Sequence, residues 1–326
     1  MAKITIEYVR EFIKPYEGRE VTLAEMRAEM HIGRDDEAFD DVRTIFFRLK
    51  EQGVVKVVRR GVYKIVKRVS PVQVFGVQRD RKPPFNLIFP KDFDTGMEFP
   101  FAEHVVVREG DCILIAGFSN YGKTTLSMSI LGENIDHHPI LLGNEFTKDD
   151  EPTPRFLNRL DAMDWFKWAD ENGQDKFTLL PVYDDFAENI VKDRINIVDW
   201  INLPGEYYMI SPIMEGIKRA VGNGIAVLVL QKNEGSTSGR GGAPTKDFAD
   251  LELLIDSHGE FESRLTVGKC KESTGRIIGK SWAFEIQNGV KIFNIREVKR
   301  CFKCHGKGYG QYGRCNECEG IGWNNT

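Results

Sequence analysis

The sequence predicts an α/β chain in three parts: a small helical domain closed by a hairpin, a larger α/β core, and a short cysteine-bearing tail. Three observations predict this. Residues 111–131, DCILIAGFSNYGKTTLSMSIL, pass from an apolar β-branched run through G-x-x-x-x-G-K-T into a stretch that suits a helix. Further on, short apolar runs that each end in a polar residue alternate with amphipathic stretches, the pattern of buried strands and crossover helices. Finally, four of the six cysteines form two C-x-x-C pairs at the end of the chain.

Size and charge bound the reading. With 326 residues and 41% hydrophobic content, the chain exceeds one average domain and can bury a core. Its formal net charge of -4 is uneven: residues 1–69 carry 15 Lys and Arg against 12 Asp and Glu, whereas residues 70–300 carry 27 against 35. The N-terminus is charged from Lys3 onward and no apolar run approaches 18 residues, so neither a secretory leader nor a membrane span is expected. A cytoplasmic protein follows, and in a reducing compartment paired cysteines argue for metal rather than disulfides.

Residues 1–69 read as three helices and a hairpin. Ile4, Ile6, Val9, Phe12 and Ile13 form one apolar stripe, Thr22 caps a second helix, and Ala38, Val42, Ile45, Phe46 and Leu49 mark a third, stopped by Gly53. Residues 54–60 and 62–68 then flank Gly61 as a hairpin that carries Lys56, Arg59, Arg60, Lys64, Lys67 and Arg68 with no acid among them. This order resembles a winged helix-turn-helix domain. Such a wing would contact DNA phosphates through Arg59, Arg60 and Lys64 while the third helix enters a major groove. The acidic start of that helix, Asp35, Asp36, Glu37, Asp40 and Asp41, favours protein contacts instead, because it would repel phosphates. Residues 70–89, with Pro71, Pro83 and Pro84, read as an extended linker, and a strand or two are expected between 90 and 110.

The core, 90–300, is organised by the phosphate-binding loop. Gly117, Ser119, Asn120, Tyr121, Gly122, Lys123, Thr124 and Thr125 would bind a nucleotide: main-chain N–H groups and the helix N-terminus hold the phosphates, and Lys123 neutralises the β and γ oxygens. Thr124 and Asp199, the acid ending the run 195–199, would hold Mg²⁺. Glu145, at the end of the run 139–145, is placed to activate water for hydrolysis of ATP, with a solvated strand-end acid as the bland alternative. Gln231, ending the run 225–231, could sense the γ-phosphate or simply close its strand. Residues 154–169 read as one amphipathic helix whose aromatic stripe suits core or interface, and 207–221 as another helix. The glycine-rich segment 232–246, with Lys232, Arg240 and Lys246, reads as a loop that either grips a nucleic-acid backbone or merely covers the surface. Short strands are expected at 251–256, 264–270, 280–286 and 290–295. Lys269, Lys271 and Arg276 beside them could supply a cation to a neighbouring subunit's phosphate.

Six segments together resemble the RecA-like ATPase core, and most closely its replicative helicase (DnaB-type) branch: GFSNYGKTT at 117–125, LLGNEF at 141–146, INIVDWINL at 195–203, IAVLVLQ at 225–231, DFADLELLID at 247–256 and VGKCKESTGR at 267–276. The last is similar to the helicase signature K-x-R-x-G, but Lys269 and Lys271 stand at the matching positions, with Arg276 close by, and lysine lacks the bidentate fork of arginine. The resemblance implies a homo-oligomer with ATP between subunits, a hexameric ring or a filament. The chain is most similar to compact ATPases of phages and other mobile elements, since a winged helix stands where replicative helicases carry a primase-binding domain. That implies a DNA helicase of replication or recombination; a recombinase-like filament and a nucleotide-switched DNA-binding adaptor or loader are the alternatives.

The tail, 301–326, has the pattern C-x2-C-x10-C-x2-C from Cys301, Cys304, Cys315 and Cys318, a tetrahedral thiolate set for Zn²⁺. Each pair continues as C-x-x-C-x-G-x-G, which resembles the zinc hairpins of DnaJ-type chaperones. With Lys303, Lys307, Tyr309, Tyr312, Arg314 and Trp323, the module suits single strands as well as it suits a protein partner.

Overall fold

The structure, a computed structural model, describes residues 4–67, 71, 82–149, 151–199, 201, 209–232, 239, 242, 244–310 and 313–326. Two compact units divide the chain, residues 1–81 and 82–326.

In the first unit, α1 (Ile6–Ile13) is capped by Thr5, and β1 (Glu20–Thr22) leads into α2 (Leu23–Glu29). Thr22 and Glu25 close a reciprocal capping box at the start of α2, which satisfies two orphan N–H groups. The third helix, α3 (Ala38–Glu51), buries Val42, Ile45, Phe46 and Leu49, one face at helical spacing. β2 (Val55–Arg59) and β3 (Val62–Ile65) form the expected hairpin, with Gly61 at positive φ in the turn. The hairpin is extended, however: β1 pairs antiparallel with β3, giving a sheet ordered β1-β3-β2. A three-residue strand beside a helix cap has too little periodicity to be read from sequence.

The second unit is built on a ten-stranded mixed sheet. Its elements in chain order are β4 (Cys112–Gly117), α4 (Lys123–Glu133), β5 (Ile140–Leu142), the small pair β6 (Thr147–Lys148) and β7 (Glu151–Pro152), α5 (Pro154–Ala162), β8 (Thr178–Leu180), α6 (Phe186–Asn189) and β9 (Ile195–Val198). There follow α7 (Ile210–Ala220), β10 (Ile225–Gln231), α8 (Pro244–Phe248), β11 (Leu251–His258), β12 (Glu262–Cys270), β13 (Ser281–Gln287) and β14 (Lys291–Arg300). The short pair β15 (Tyr309–Gly310) and β16 (Gly313–Arg314) and the strand β17 (Trp323–Asn325) end the chain.

The sheet order is β17-β14-β13-β12-β11-β4-β10-β9-β5-β8. From β11 to β8 the neighbours run parallel, and from β11 to β17 they run antiparallel. Both faces of the parallel half are covered. Ile113 and Ile115 of β4 point into one core with α4, whereas Cys112, Leu114 and Ala116 point into another with α7. This is why β4 and β10 read as unbroken apolar runs rather than alternating ones.

Several expectations change in the folded chain. No strand forms between 90 and 110; that segment is turns, with isolated bridges at Lys91–Glu98 and Val105–Ser273, and it drives Phe99 and Phe101 fully into the core. Residues 82–89, expected in the linker, belong to the second unit, where Leu87 and Phe89 are buried. The helix expected over 154–169 ends at Ala162. Tertiary contacts outweigh its helical periodicity: Trp168 Nε1 donates back to Leu160 O at 3.1 Å, and the Phe166 ring lies where a Cβ on Gly132 of α4 would stand. The helix expected at 207–221 is α7, which begins at Ile210; Tyr207 lies outside the described residues. Among the described residues no helix is long and apolar enough to cross a membrane.

Candidate functional site

Parallel register brings four segments distant in sequence to one end of the sheet. Gly117 lies across from Gln231 on one side and Ile255 on the other, and Leu142 and Leu228 both lie across from Val198. The residues that follow these strand ends are therefore neighbours, in the crevice where open α/β sheets bind ligands.

The loop after β4 closes over that crevice. Asn120 and Gly122 take left-handed backbone conformations, φ 69° and 94°, which turn successive N–H groups toward one concavity. A Cβ on Gly122 would meet Ile286 Cδ1 at 2.2 Å, and one on Gly117 would meet Ile255 Cβ at 2.8 Å, so both positions require glycine. Lys123 donates from Nζ to Phe118 O at 2.5 Å across the loop. Gln231 Nε2 donates to Ser119 Oγ at 3.0 Å, which ties the end of β10 to the loop. Thr125 Oγ1 donates to Gly289 O at 2.8 Å, anchoring the start of α4 to the β13–β14 turn.

Asp199 stands one residue past β9 and is 3% exposed. Ser127 donates to its Oδ2 at 2.6 Å, and Thr124 stands beside it at the start of α4. Burial pushes this carboxyl above the usual carboxylate range against the pull of Ser127, and Glu145 nearby adds to the rise. Gly143 makes the close approach of β5 and β9 possible, since a Cβ there would lie 2.1 Å from Asp199 O. Glu145 follows on the exposed loop. The pocket before the loop has a volume of about 520 Å³; Lys123, Thr124 and Arg159 line it, and Phe261 and Glu262 from the β11–β12 turn form a wall.

The structure thus brings Gly117, Ser119, Asn120, Tyr121, Gly122, Lys123, Thr124, Thr125, Glu145, Asp199 and Gln231 to one end of the sheet. It places three others elsewhere. β12 runs away from the crevice, so Lys269, opposite Glu252, stands at the far end. Lys271 and Arg276 follow at that same end, before β13 begins. None of the three can reach the phosphate loop of its own chain. There Lys269 donates to the carbonyls of Lys246 and Asp247, and Lys271 is 3.0 Å from Asp250 Oδ1. Lys246 is also turned inward, 3.3 Å from the fully buried Glu252. Arg240 lies outside the described residues, as does most of the segment 232–246.

Sequence reasoning missed Ser127 and Arg159. Ser127 follows Lys123 by four positions, so it stands over the same face of α4, a spacing that marks it once Asp199 is known to face that helix. Arg159 carries no local signal: it is an arginine on an amphipathic helix.

The four cysteines form a second site. Their Sγ atoms all lie within 4.8 Å of one another, and all four are buried. Tetrahedral thiolates around zinc at about 2.3 Å stand about 3.8 Å apart; here Cys301 and Cys315 are 3.9 Å apart and Cys304 and Cys318 3.6 Å. Gly308 N donates to Cys304 Sγ at 3.3 Å and Gly322 N to Cys318 Sγ at 3.1 Å, the N–H contacts that stabilise thiolate charge. The two C-x-G-x-G loops pack on each other, for a Cβ on Gly308 would meet Gly320 O at 2.2 Å and one on Gly322 would meet Gly306 O at 2.5 Å. This cluster could hold a metal such as zinc.

The module is joined to the sheet through β17. Trp323 packs under Arg264, whose guanidinium carbon is 3.9 Å from the ring centroid. Arg264 is 3.2 Å from Asp256, which also pairs with buried Lys232, the neighbour of Gln231. A continuous polar path therefore runs from the cysteine module to the phosphate loop.

Compared with known proteins, the chain matches no family model, and no curated protein matches it.

Proposed function

We propose that the chain is an ATP-hydrolysing, DNA-acting motor of RecA/DnaB type: an oligomeric helicase, of the compact kind found in phages and mobile elements. The observation that carries the proposal is that Lys123, Thr124, Asp199, Glu145 and Gln231 come to one end of the sheet, at or just past the ends of adjacent parallel strands. The main-chain cup and Lys123 suit a polyphosphate. Thr124 and Asp199 offer a hydroxyl and a carboxylate to Mg²⁺, and the raised carboxyl of Asp199 marks a buried group for which the chain supplies one hydroxyl donor, Ser127. When bound, the ion neutralises phosphate charge. Glu145, exposed on the loop beside Asp199, would take a proton from the attacking water at its carboxylate. Gln231, bonded to Ser119, would respond to occupation of the loop and pass that state through Lys232 into the segment 232–246.

The DNA reading draws on the first unit, where α1, α2, α3 and the β1-β3-β2 sheet support a winged helix. Lys56 and Lys64 stand opposite one another across β2 and β3, and Arg59 and Arg60 are exposed at the turn. Like charges directly across a strand pair are destabilising unless an anion lies between them, so this face suits phosphates. A second reading, a nucleotide-switched adaptor or loader that does not translocate, is favoured by the exposed Asp35, Glu37 and Asp40 at the start of α3, which would keep that helix out of a groove. The far-end lysines remain candidates for action on a neighbour in a ring, with zinc in the cysteine cage.

Steady-state ATP hydrolysis by the purified chain, alone and with single-stranded or duplex DNA, tests the proposal. Stimulation by single strands with ATP-dependent displacement of a labelled strand is expected of the motor; hydrolysis without displacement selects the adaptor; no hydrolysis refutes both. Arg59→Ala with Arg60→Ala should lower the slope of log affinity against log salt by about 2, and an unchanged slope would remove the wing from the interface.

A further inference from the structure

Arg159, on α5, lines the same pocket as the loop residues 120–125, Lys123 among them. Its Nη1 is shut off from solvent, yet among the described residues that atom finds no hydrogen-bond partner. Leaving a buried charged donor unpaired is costly, and native chains keep such groups mainly where a ligand completes them. Its surroundings say which ligand. Asp199 and Glu145 both act on the guanidinium electrostatically, without forming an ion pair with it, and the loop residues 120–125 line the same pocket. An anion held by that loop would occupy the pocket that Arg159 lines, and the buried Nη1 would reach it by a turn of the side chain.

We infer that Arg159 is a phosphate-binding residue supplied by the chain itself, which completes its donors on the terminal phosphate of a bound nucleoside triphosphate. The inference rests on the nucleotide reading and deepens it. Asp199 and Glu145, at the strand ends near Arg159, stand where a terminal phosphate and the attacking water would meet on that reading. A guanidinium there offers two N–H groups in a fixed fork to phosphate oxygens. A diphosphate ends before that position, so Arg159 would distinguish triphosphate from diphosphate. It would do so from within one chain, whereas Lys269, Lys271 and Arg276 stand at the far end of the sheet. Because only the short β6–β7 pair separates the Glu145 loop from α5, engagement of Arg159 would also fix that loop over the site.

The test is binding of ADP and of the non-hydrolysable analogue AMP-PNP, each with Mg²⁺, to the full chain and to Arg159→Met, Arg159→Lys and Lys123→Ala. Arg159→Met should weaken AMP-PNP binding about 10- to 100-fold, the range for losing a charge-assisted hydrogen bond, while ADP affinity stays within about twofold. Arg159→Lys should recover part of the loss. The thermal unfolding midpoint without nucleotide should not fall in Arg159→Met, since the arginine removed has an unpaired donor. Equal weakening of both ligands, weakening of neither, or a large fall in the unfolding midpoint would overturn the inference. If the parent binds neither ligand, or Lys123→Ala binds both as well as the parent does, the nucleotide reading itself falls and takes this inference with it.

Discussion

Two buried aspartates stand at opposite ends of the ten-stranded sheet, and the chain treats them in opposite ways. Asp250, 5% exposed, accepts bonds from Lys218, from Lys271 at 3.0 Å and from Cys112 N at 2.9 Å. Burial alone would raise its carboxyl, but these donors outweigh burial and hold it below the usual range. Asp199, 3% exposed, is met by the Ser127 hydroxyl, and burial leaves its carboxyl raised. At one end the chain completes the charge of Asp250 from within, although Glu252 beside it, fully buried, has only Lys246 at 3.3 Å among the described residues. The other leaves Asp199 with one hydroxyl donor and Arg159 with a buried N–H that has no partner among the described residues. The difference teaches how to separate architecture from a site: a buried ionic group that the chain itself compensates holds the fold together, and one that it does not compensate points to something that binds.

The largest effect that could break this comparison is expected at the cysteine cage, whose four buried thiols could hold a metal. A strong chelator, or Cys315→Ser, should remove hydrogen-exchange protection from residues 301–325 while β4 keeps its own, because structural zinc contributes about 10 kcal/mol or more to modules of this kind. Protection that survives chelation would show a self-supporting cage. Next, Glu145→Gln should lower ATP turnover by about 10²- to 10⁴-fold, the usual contribution of a general base, with nucleotide affinity kept; turnover near the parent rate would remove Glu145 from the chemistry.

Smaller effects sharpen the contrast between the aspartates. Asp250→Ala leaves the Cys112 N–H without its acceptor and, among the described residues, the Lys218 ammonium with only the Phe248 carbonyl, and should cost about 2 kcal/mol in denaturant unfolding, with little change in nucleotide affinity. Asp199→Asn should show the reverse, unchanged or higher stability and weaker Mg²⁺-dependent binding. The pH dependence has matching signs. Asp250, held low, contributes stability that is full above about pH 4, its unfolded range, and is lost as pH falls through its lower folded value. Asp199, held high, disfavours the folded state once both forms have ionised, so Asp199→Asn should gain over the parent above its folded value and lose that gain below about pH 4. Acid titrations of unfolding for the two variants check both, and parallel curves would erase the distinction.

Much of this was legible in the sequence because it is local. The loop 117–124 carries its glycines, lysine and threonine in one run, and Gly122 is required by the φ of 94° that the run itself imposes. The cysteine tail repeats C-x-x-C-x-G-x-G, and the repeat is what lets Gly308 and Gly322 pack against the opposite loop. The end of α5 was not legible, since helical periodicity continues through Trp168 and only the Phe166–Gly132 contact and the Trp168–Leu160 bond break it. Nor were the positions of Lys246 and Lys269: a basic residue in a glycine-rich loop or beside a signature looks available until Glu252 is found buried next to it.

By itself the sequence determined which residues could serve: the phosphate loop, the acid after β9, the glutamine ending β10 and the four thiols, each marked by chemistry within a few positions. The tertiary structure decided which of them meet. Register across β5, β9, β10 and β4 places Asp199 beside α4 and Gln231 beside Ser119, and the same register sends Lys269 to the far end of the sheet. Strand pairing order is a property of contacts among residues far apart in the chain. No local pattern encodes it, and so Arg159, Ser127 and the path from Trp323 to Lys232 emerge only in the folded chain.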